Sequence, residues 1–236
     1  MPRLFVDLPL AHGARLSLPP GPTRHVQVLR LQPGAVLTLF DGRGGEWAAT
    51  VDRIGRSEVE VSVGAHDPVE RELGLAVTLA LGMPANERMD ALVEKATELG
   101  VAAVQPLVCE RSVLRLQGER AAKKVAHWQG VAIAACEQSG RTRVPTIAPV
   151  AGLGEWLDRL GPDEPARWLL SFTDAAPLAH VARPAQRLLS LSGPEGGLAP
   201  AEEARARRAG FVAVSLGARV LRADTAPLAL LGVLGA

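Results

Sequence analysis

At Leu75 the sequence changes rhythm, and that change limits the available folds more than any other feature. Upstream, from Arg3 to about Val63, short β-type segments ("RLFV", "AVLTLF", "EWAATV", "SEVEVSV") alternate with turns. "DGRGGE" is a hairpin signal, and "TRHVQVLRL" suits one short helix between the first two segments. Evenly spaced short strands of this kind predict a small β-barrel over residues 1–70. "GAHDPVERELG" then reads as a linker. Downstream, "LAVTLALG" is a continuous apolar run, as in a strand buried on both faces. "NERMDALVEKATELG" follows with Met89, Leu92, Val93, Ala96 and Leu99 at helical spacing and Gly100 at the C-cap. The alternation continues through "VAAVQPLV", "KKVAHWQGVAIAACEQ", "TIAPV", "GEWLDRLG", "RWLLSF", "RLLSLS" and "FVAVSLG" to an apolar terminal helix. That order predicts an α/β domain with a mostly parallel sheet over residues 73–236.

The strand "RLLSLS" runs into "GPEGG", where three glycines and a proline surround Glu195. Loops at the carboxyl ends of parallel strands are where open α/β sheets bind ligands. A phosphate-binding P-loop requires Lys and Ser/Thr after its last glycine, and "GGLAP" has neither. Glu195 would also repel a phosphate, since like charges about 4 Å apart cost several kcal/mol. A cationic or hydroxyl-rich ligand such as S-adenosylmethionine fits the charge. A tight turn whose glutamate caps the following helix is the alternative.

Composition removes other classes. Apolar residues make up 47% and charged residues 22%, enough to bury a core, and the net charge of +1 leaves nucleic-acid binding to local basic patches. Cys109 and Cys136 show no metal-ligand spacing, so no metal and no disulfide framework are expected. No apolar run approaches the ~20 residues of a membrane span. The N-terminus lacks a signal pattern, and a soluble, cytoplasmic protein is expected.

"LSGPEGGL" with "AEEARARRAGFVAVSLGARVLRADTAPLALLGVL" resembles the C-terminal hallmark of the 16S ribosomal RNA (uracil-N3)-methyltransferases of the SPOUT superfamily. "HVQVLRLQPGAVLTLFDG", "VEKATELGV", "ERSVL" and "HWQGVAIAACEQSGRTRVP" are similar to that family's blocks, in its order. The resemblance implies a trefoil-knotted SPOUT domain preceded by a PUA-like RNA-binding barrel. It also implies a homodimer, S-adenosyl-L-methionine as donor, and N3 of uridine 1498 in the 16S rRNA of the 30S subunit as target. Residue by residue it places Gly193, Glu195, Gly196 and Gly197 on a first cofactor loop and Leu216 and Gly217 on a second. Leu221, Arg222 and Thr225 fall on a final turn, and the resemblance implies that these three pieces wall the methyl donor together with Ser171 and Phe172 at an earlier strand end. Where the family reads "LRTETA", this chain has "LRADTAP", so Ala223 and Asp224 replace Thr and Glu, and Pro227 enters the helix start.

Methylation at N3 requires an unpaired or flipped base and leaves charge on O2 and O4 as the proton departs. Arg222, then Arg219, is the candidate to stabilise that charge; either also reads as a surface arginine. Asp224 can orient Arg222, accept the proton, or cap the terminal helix. His127 falls mid-helix, where packing is expected. Arg24, His25 and Arg30 near the barrel's helix, and Arg141 and Arg143 in "SGRTRVP", form two candidate RNA-binding clusters. A SPOUT ribose 2′-O-methyltransferase and a non-catalytic RNA-binding assembly factor are the alternatives.

Overall fold

The computed structural model describes residues 1–161 and 166–235, the side chain of Asn86 excepted. The chain divides into two compact units, Met1–Glu72 with Ile133–Val144, and Leu73–Ala132 with Pro145–Ala236. The segment 133–144, which the sequence pattern groups with the α/β half, therefore packs with the first unit.

In the first unit the elements are β1 (Arg3–Phe5), β2 (Arg15–Ser17), α1 (Pro20–Val28), β3 (Val36–Phe40), β4 (Glu46–Ile54) and β5 (Val59–Asp67). They form one five-stranded sheet in the order β1-β3-β4-β5-β2. Only the β1–β3 pair is parallel. Leu4 and Val6 from one edge and Leu16 from the other pack on the same core as Val26, Leu37, Leu39, Val51 and Val61. The sheet therefore curls round a single interior, into which α1 sends Val26. Alternation along β4 and β5 sends every second side chain inward, as a half-buried sheet requires. Two local readings need correction. Gly64–Asp67 continue β5 instead of starting the linker, and β2 is too short to leave a strand pattern.

In the second unit the elements are β6 (Ala76–Gly82), α2 (Asn86–Glu98), β7 (Ala103–Val108), α3 (Gly118–Ser139), β8 (Thr146–Ile147), β9 (Ala151–Gly152) and α4 (Leu153–Asp158). There follow β10 (Ala166–Leu170), β11 (Ala176–Pro177), β12 (Arg187–Ser192), α5 (Pro200–Arg208), β13 (Val212–Ser215) and α6 (Thr225–Leu234). From Ile133 onward α3 counts with the first unit. The sheet runs β11-β13-β10-β12-β6-β7-β8, with β9 beside β7, and each of these pairings is parallel. Its two faces carry separate apolar clusters. One gathers Val77, Leu79, Met89, Trp128 and Leu230; the other gathers Ala80, Leu107, Leu169, Leu191 and Phe211. Such two-sided burial explains the unbroken apolar runs. Of "TIAPV", Thr146 and Ile147 form the short strand, and the Ala148 N–H adds a bond to the Val104 carbonyl at 2.9 Å.

His127 does not pack into the core. Its Nε2 lies 2.9 Å from Asp90 Oδ2, and the indole N–H of fully buried Trp128 donates to Asp90 Oδ1 at 2.8 Å. One α2 carboxylate thus fastens two neighbouring α3 side chains. Burial alone would raise its pKa, but the bonds from His127 and Trp128 outweigh that and hold it below the usual 3.8.

Candidate active site

Because β13, β10, β12 and β6 are adjacent and parallel, the loops leaving them emerge at one edge of the sheet. Three of those loops and the start of α2 enclose a cavity of about 710 Å³. Leu169, Ser192 and Val214 line it as buried residues. Ser171, Phe172 and Thr173 follow β10, Gly193–Leu198 follow β12, and Leu216 with Arg219–Ala223 follow β13. Arg88 of α2 and Glu203 of α5 add one charge of each sign.

The glycine loop is fixed from outside the cavity. Arg111 Nη1 donates to the carbonyls of Gly196 at 3.0 Å and Leu198 at 3.3 Å. Behind the loop, a Cβ at Gly82 would stand 2.4 Å from Pro194 Cδ, so the end of β6 must be glycine for the loop to lie against it. Gly197, at φ +68°, has nothing within 4 Å of where a Cβ would project. Its left-handed backbone and the empty space beside it leave bare main chain facing the cavity.

Glu195 does not cap the following helix. Its Oε1 accepts the Ala85 N–H at 2.9 Å, just before α2, and faces Arg88 Nη1 at 4.0 Å. The helix after the loop, α5, is served by Glu202, whose carboxylate accepts the Ala199 N–H at 2.9 Å and the Glu110 N–H at 2.8 Å. Glu203 accepts a hydrogen bond from Ser171 and pairs with Arg207 at 3.3 Å, tying α5 to the end of β10.

Of the residues singled out in the sequence, Ser171, Phe172, Gly193, Glu195, Gly196, Gly197, Leu216, Arg219, Leu221, Arg222 and Ala223 line this cavity. Gly217 lines a second, apolar cavity of about 470 Å³ with Trp168, Leu178 and Val233. Thr225 and Asp224 line neither. Asp224 occupies the N-cap position of α6 yet makes no capping hydrogen bond, and its Oδ1 is buried without a partner. The Arg222 carbonyl instead accepts the N–H groups of Thr225 and Ala226, both at 3.0 Å, while its side chain is exposed. Arg88, Arg111, Glu202 and Glu203 lie within the stretches "NERMDALVEKATELG", "ERSVL" and "AEEARARRAG", but no sequence signal singled them out as parts of the site.

The two basic clusters, both within the first unit, fare differently. Arg24 and Arg30 are exposed, and His25 lies 3.7 Å from Glu137. Arg141 is a correction: its side chain is buried and bonded to Glu72, so it is not presented to a phosphate. Arg143 is half-exposed but spends its Nε on Glu70 at 2.8 Å. Among the described residues no group of His, Cys, Asp or Glu is arranged to hold a metal, and no helix is long and apolar enough to cross a membrane.

Residues 71–235 match the RNA methyltransferase domain family, and residues 23–64 match the RNA methyltransferase PUA domain. The chain belongs to the RNA methyltransferase family. This RNA methyltransferase is 34% identical over 215 residues to ribosomal RNA small subunit methyltransferase E of Synechocystis, covering 89% of this chain and 69% of that one. Against the Bacillus subtilis protein of the same name the identity is 28%, over 97% and 93% of the two chains. Among solved structures, the Neisseria gonorrhoeae small subunit methyltransferase E bound to S-adenosyl methionine superposes with a TM-score of 0.93 at 38% identity, covering 99% of this chain and 96% of that one. A Legionella pneumophila protein in complex with the cofactor SAM gives 0.92 at 33% identity, covering 98% and 96%. The methyltransferase thus has a mixed α/β unit with a parallel sheet, of the SPOUT type, and a PUA-like N-terminal unit.

Proposed function

We propose that this chain transfers a methyl group from S-adenosyl-L-methionine to N3 of a uridine in small-subunit rRNA, by resemblance uridine 1498. The observation that carries the reading is the 710 Å³ cavity, walled by the glycine loop at the carboxyl edge of the sheet. Its bare Gly193–Gly197 backbone and the carboxylates of Glu195 and Glu203 suit a cationic sulfonium with an adenine and a ribose diol. Relatives of 33% and 38% identity whose solved structures carry this ligand support the same fit. The remaining contacts to the donor would come from Ser171, Leu216 and Leu221. Gly217 lines the second cavity and Thr225 is exposed at the start of α6, so neither faces the donor cavity directly.

When bound, the donor supplies an electrophilic methyl carbon whose bond to sulfur breaks as the bond to N3 forms. The protein's own task is to hold the uracil edge in line and manage the N3 proton. Arg222, exposed on the cavity wall, places a guanidinium for the charge that develops on O2 and O4. Asp224, with one carboxylate oxygen buried and unpartnered, is the candidate to orient Arg222 or receive the proton. The first unit contributes RNA contacts through Arg24, His25, Arg30 and the exposed part of Arg143. We further read the second unit as trefoil-knotted and the active species as a homodimer.

Incubation with labelled donor and 30S subunits lacking the modification tests the activity. Label should enter the 16S rRNA, and Arg222→Ala should lower kcat about 100-fold while leaving donor affinity unchanged. Folded protein that binds the donor and transfers no label would contradict the reading and leave a binding factor.

A further inference from the structure

The chain has four Phe, four Trp and no Tyr. Seven of these eight rings have structural work. Phe40, Phe211, Trp128 and Trp168 are buried, Phe5 packs on Phe40, Trp47 on His66, and Trp156 on Phe211. Phe172 is the exception, with 58% of its surface open to solvent while it lines the cavity. An apolar ring left bare gains nothing for the fold.

Its backbone is nevertheless held firmly. The Ser171 N–H donates to the Val214 carbonyl at 3.2 Å, and the Ser171 hydroxyl donates to Glu203. The Thr173 N–H donates to Ser171 Oγ at 3.0 Å, and Arg207 donates to the Thr173 carbonyl. The residues on both sides of Phe172 are therefore anchored to β13 and α5, and the ring is presented from a fixed base. Val220, also on the cavity wall, is 83% exposed. These two bare apolar side chains share the wall with the exposed Arg219 and Arg222, in contrast to buried Leu169, Ser192 and Val214.

We infer that Phe172 is the stacking platform for the extruded pyrimidine, with Val220 as a second apolar contact, and that it does not form part of the donor's wall. The inference rests on the proposed RNA-base methylation and assigns a residue to the acceptor. A base taken out of its stack loses its neighbours' faces, and an exposed ring beside the reacting centre replaces one of them. The donor's sites are main-chain loops and carboxylates, which hydrogen-bond polar edges; the substrate's site offers a flat apolar face beside two guanidiniums. The ring would thereby help hold N3 in line while Arg222 faces the base oxygens.

The test compares Phe172→Ala, Phe172→Leu and Phe172→Trp with wild type. The readouts are donor affinity by calorimetry, binding of an RNA fragment carrying the target uridine, and kcat/KM for unmodified 30S subunits. Phe172→Ala should lower kcat/KM for RNA roughly 10–100-fold and weaken fragment binding, with donor affinity within about twofold of wild type. Phe172→Trp should restore most of the loss, and Phe172→Leu, apolar but without a π-face, should not. Donor affinity falling in step with RNA turnover would overturn the assignment and make the ring part of the cofactor wall. Wild-type behaviour of Phe172→Leu would overturn it too, leaving only bulk. If wild-type protein binds the donor and the fragment but methylates nothing, the parent reading fails instead; the stacking assignment is then judged on fragment binding alone.

Discussion

Arg30 ends α1 in an unusual way. It sits at φ +52°, a left-handed position that closes the helix with Arg30 N–H to Gln27 carbonyl and Leu31 N–H to Val26 carbonyl bonds. Glycine is the ordinary occupant of such a site, because a Cβ there costs about 1 kcal/mol or more. An exposed arginine kept at that cost is consistent with a use for its charge. Arg30→Gly should therefore raise stability by about 1 kcal/mol in denaturant titration. It should also weaken RNA binding and reduce the salt slope by about one unit if the side chain meets a phosphate. At this scale the sequence was partly legible. The glycine loop announced itself because three glycines round one acid have few other uses. Arg111, Glu202 and Glu203 did not, because each acts on backbone or side chains distant in sequence and leaves no period behind. Asp224 shows the opposite failure. Its position before an apolar helix reads as a cap, but the Arg222 carbonyl closes the turn and leaves the carboxylate oxygen unpartnered.

The helices are the most legible elements, since α2 and α5 carry apolar or charged faces at helical spacing and clear stops. The strands of two or three residues, β2, β8, β9 and β11, are too short for alternation to register. The join between α2 and α3 was equally invisible, because it depends on Asp90 meeting His127 and Trp128 across 37 and 38 residues. The sign of its pH dependence follows from the lowered Asp90 pKa. A carboxylate with a depressed folded-state pKa adds stability above its unfolded value, and that stability is lost as pH falls through the folded value. Asp90→Asn keeps an acceptor for Trp128 and removes the charge. It should cost about half a kcal/mol near neutrality, and the gap to wild type should close as pH drops below about 3.8 in a series of Tm measurements. A gap independent of pH would mean that the charge contributes nothing.

Over the whole molecule, the switch from alternating short strands to unbroken apolar runs is what the sequence offers as the sign of a change of architecture near Leu75. It did not show that residues 133–144 pack with the first unit. The reason lies in charge pairing. Glu70 holds Arg143, Arg71 donates to the Gly140 carbonyl, and Glu72 holds Arg141. Arginines that read as RNA ligands in sequence are in part the fastening of a loop. Arg141→Met should accordingly lower stability by about 3 kcal/mol, since it strands Glu72 in a mostly buried site, and Glu72→Gln combined with it should recover part of the loss. RNA affinity per folded molecule should stay unchanged.

The central claim concerns the atom that is methylated. Digestion of 16S rRNA after reaction with labelled S-adenosylmethionine, followed by mass spectrometry of the nucleosides, decides it directly. The account expects the label as N3-methyluridine. Label on a ribose 2′-oxygen would contradict it and place the chemistry of this cavity elsewhere among RNA methyltransferases.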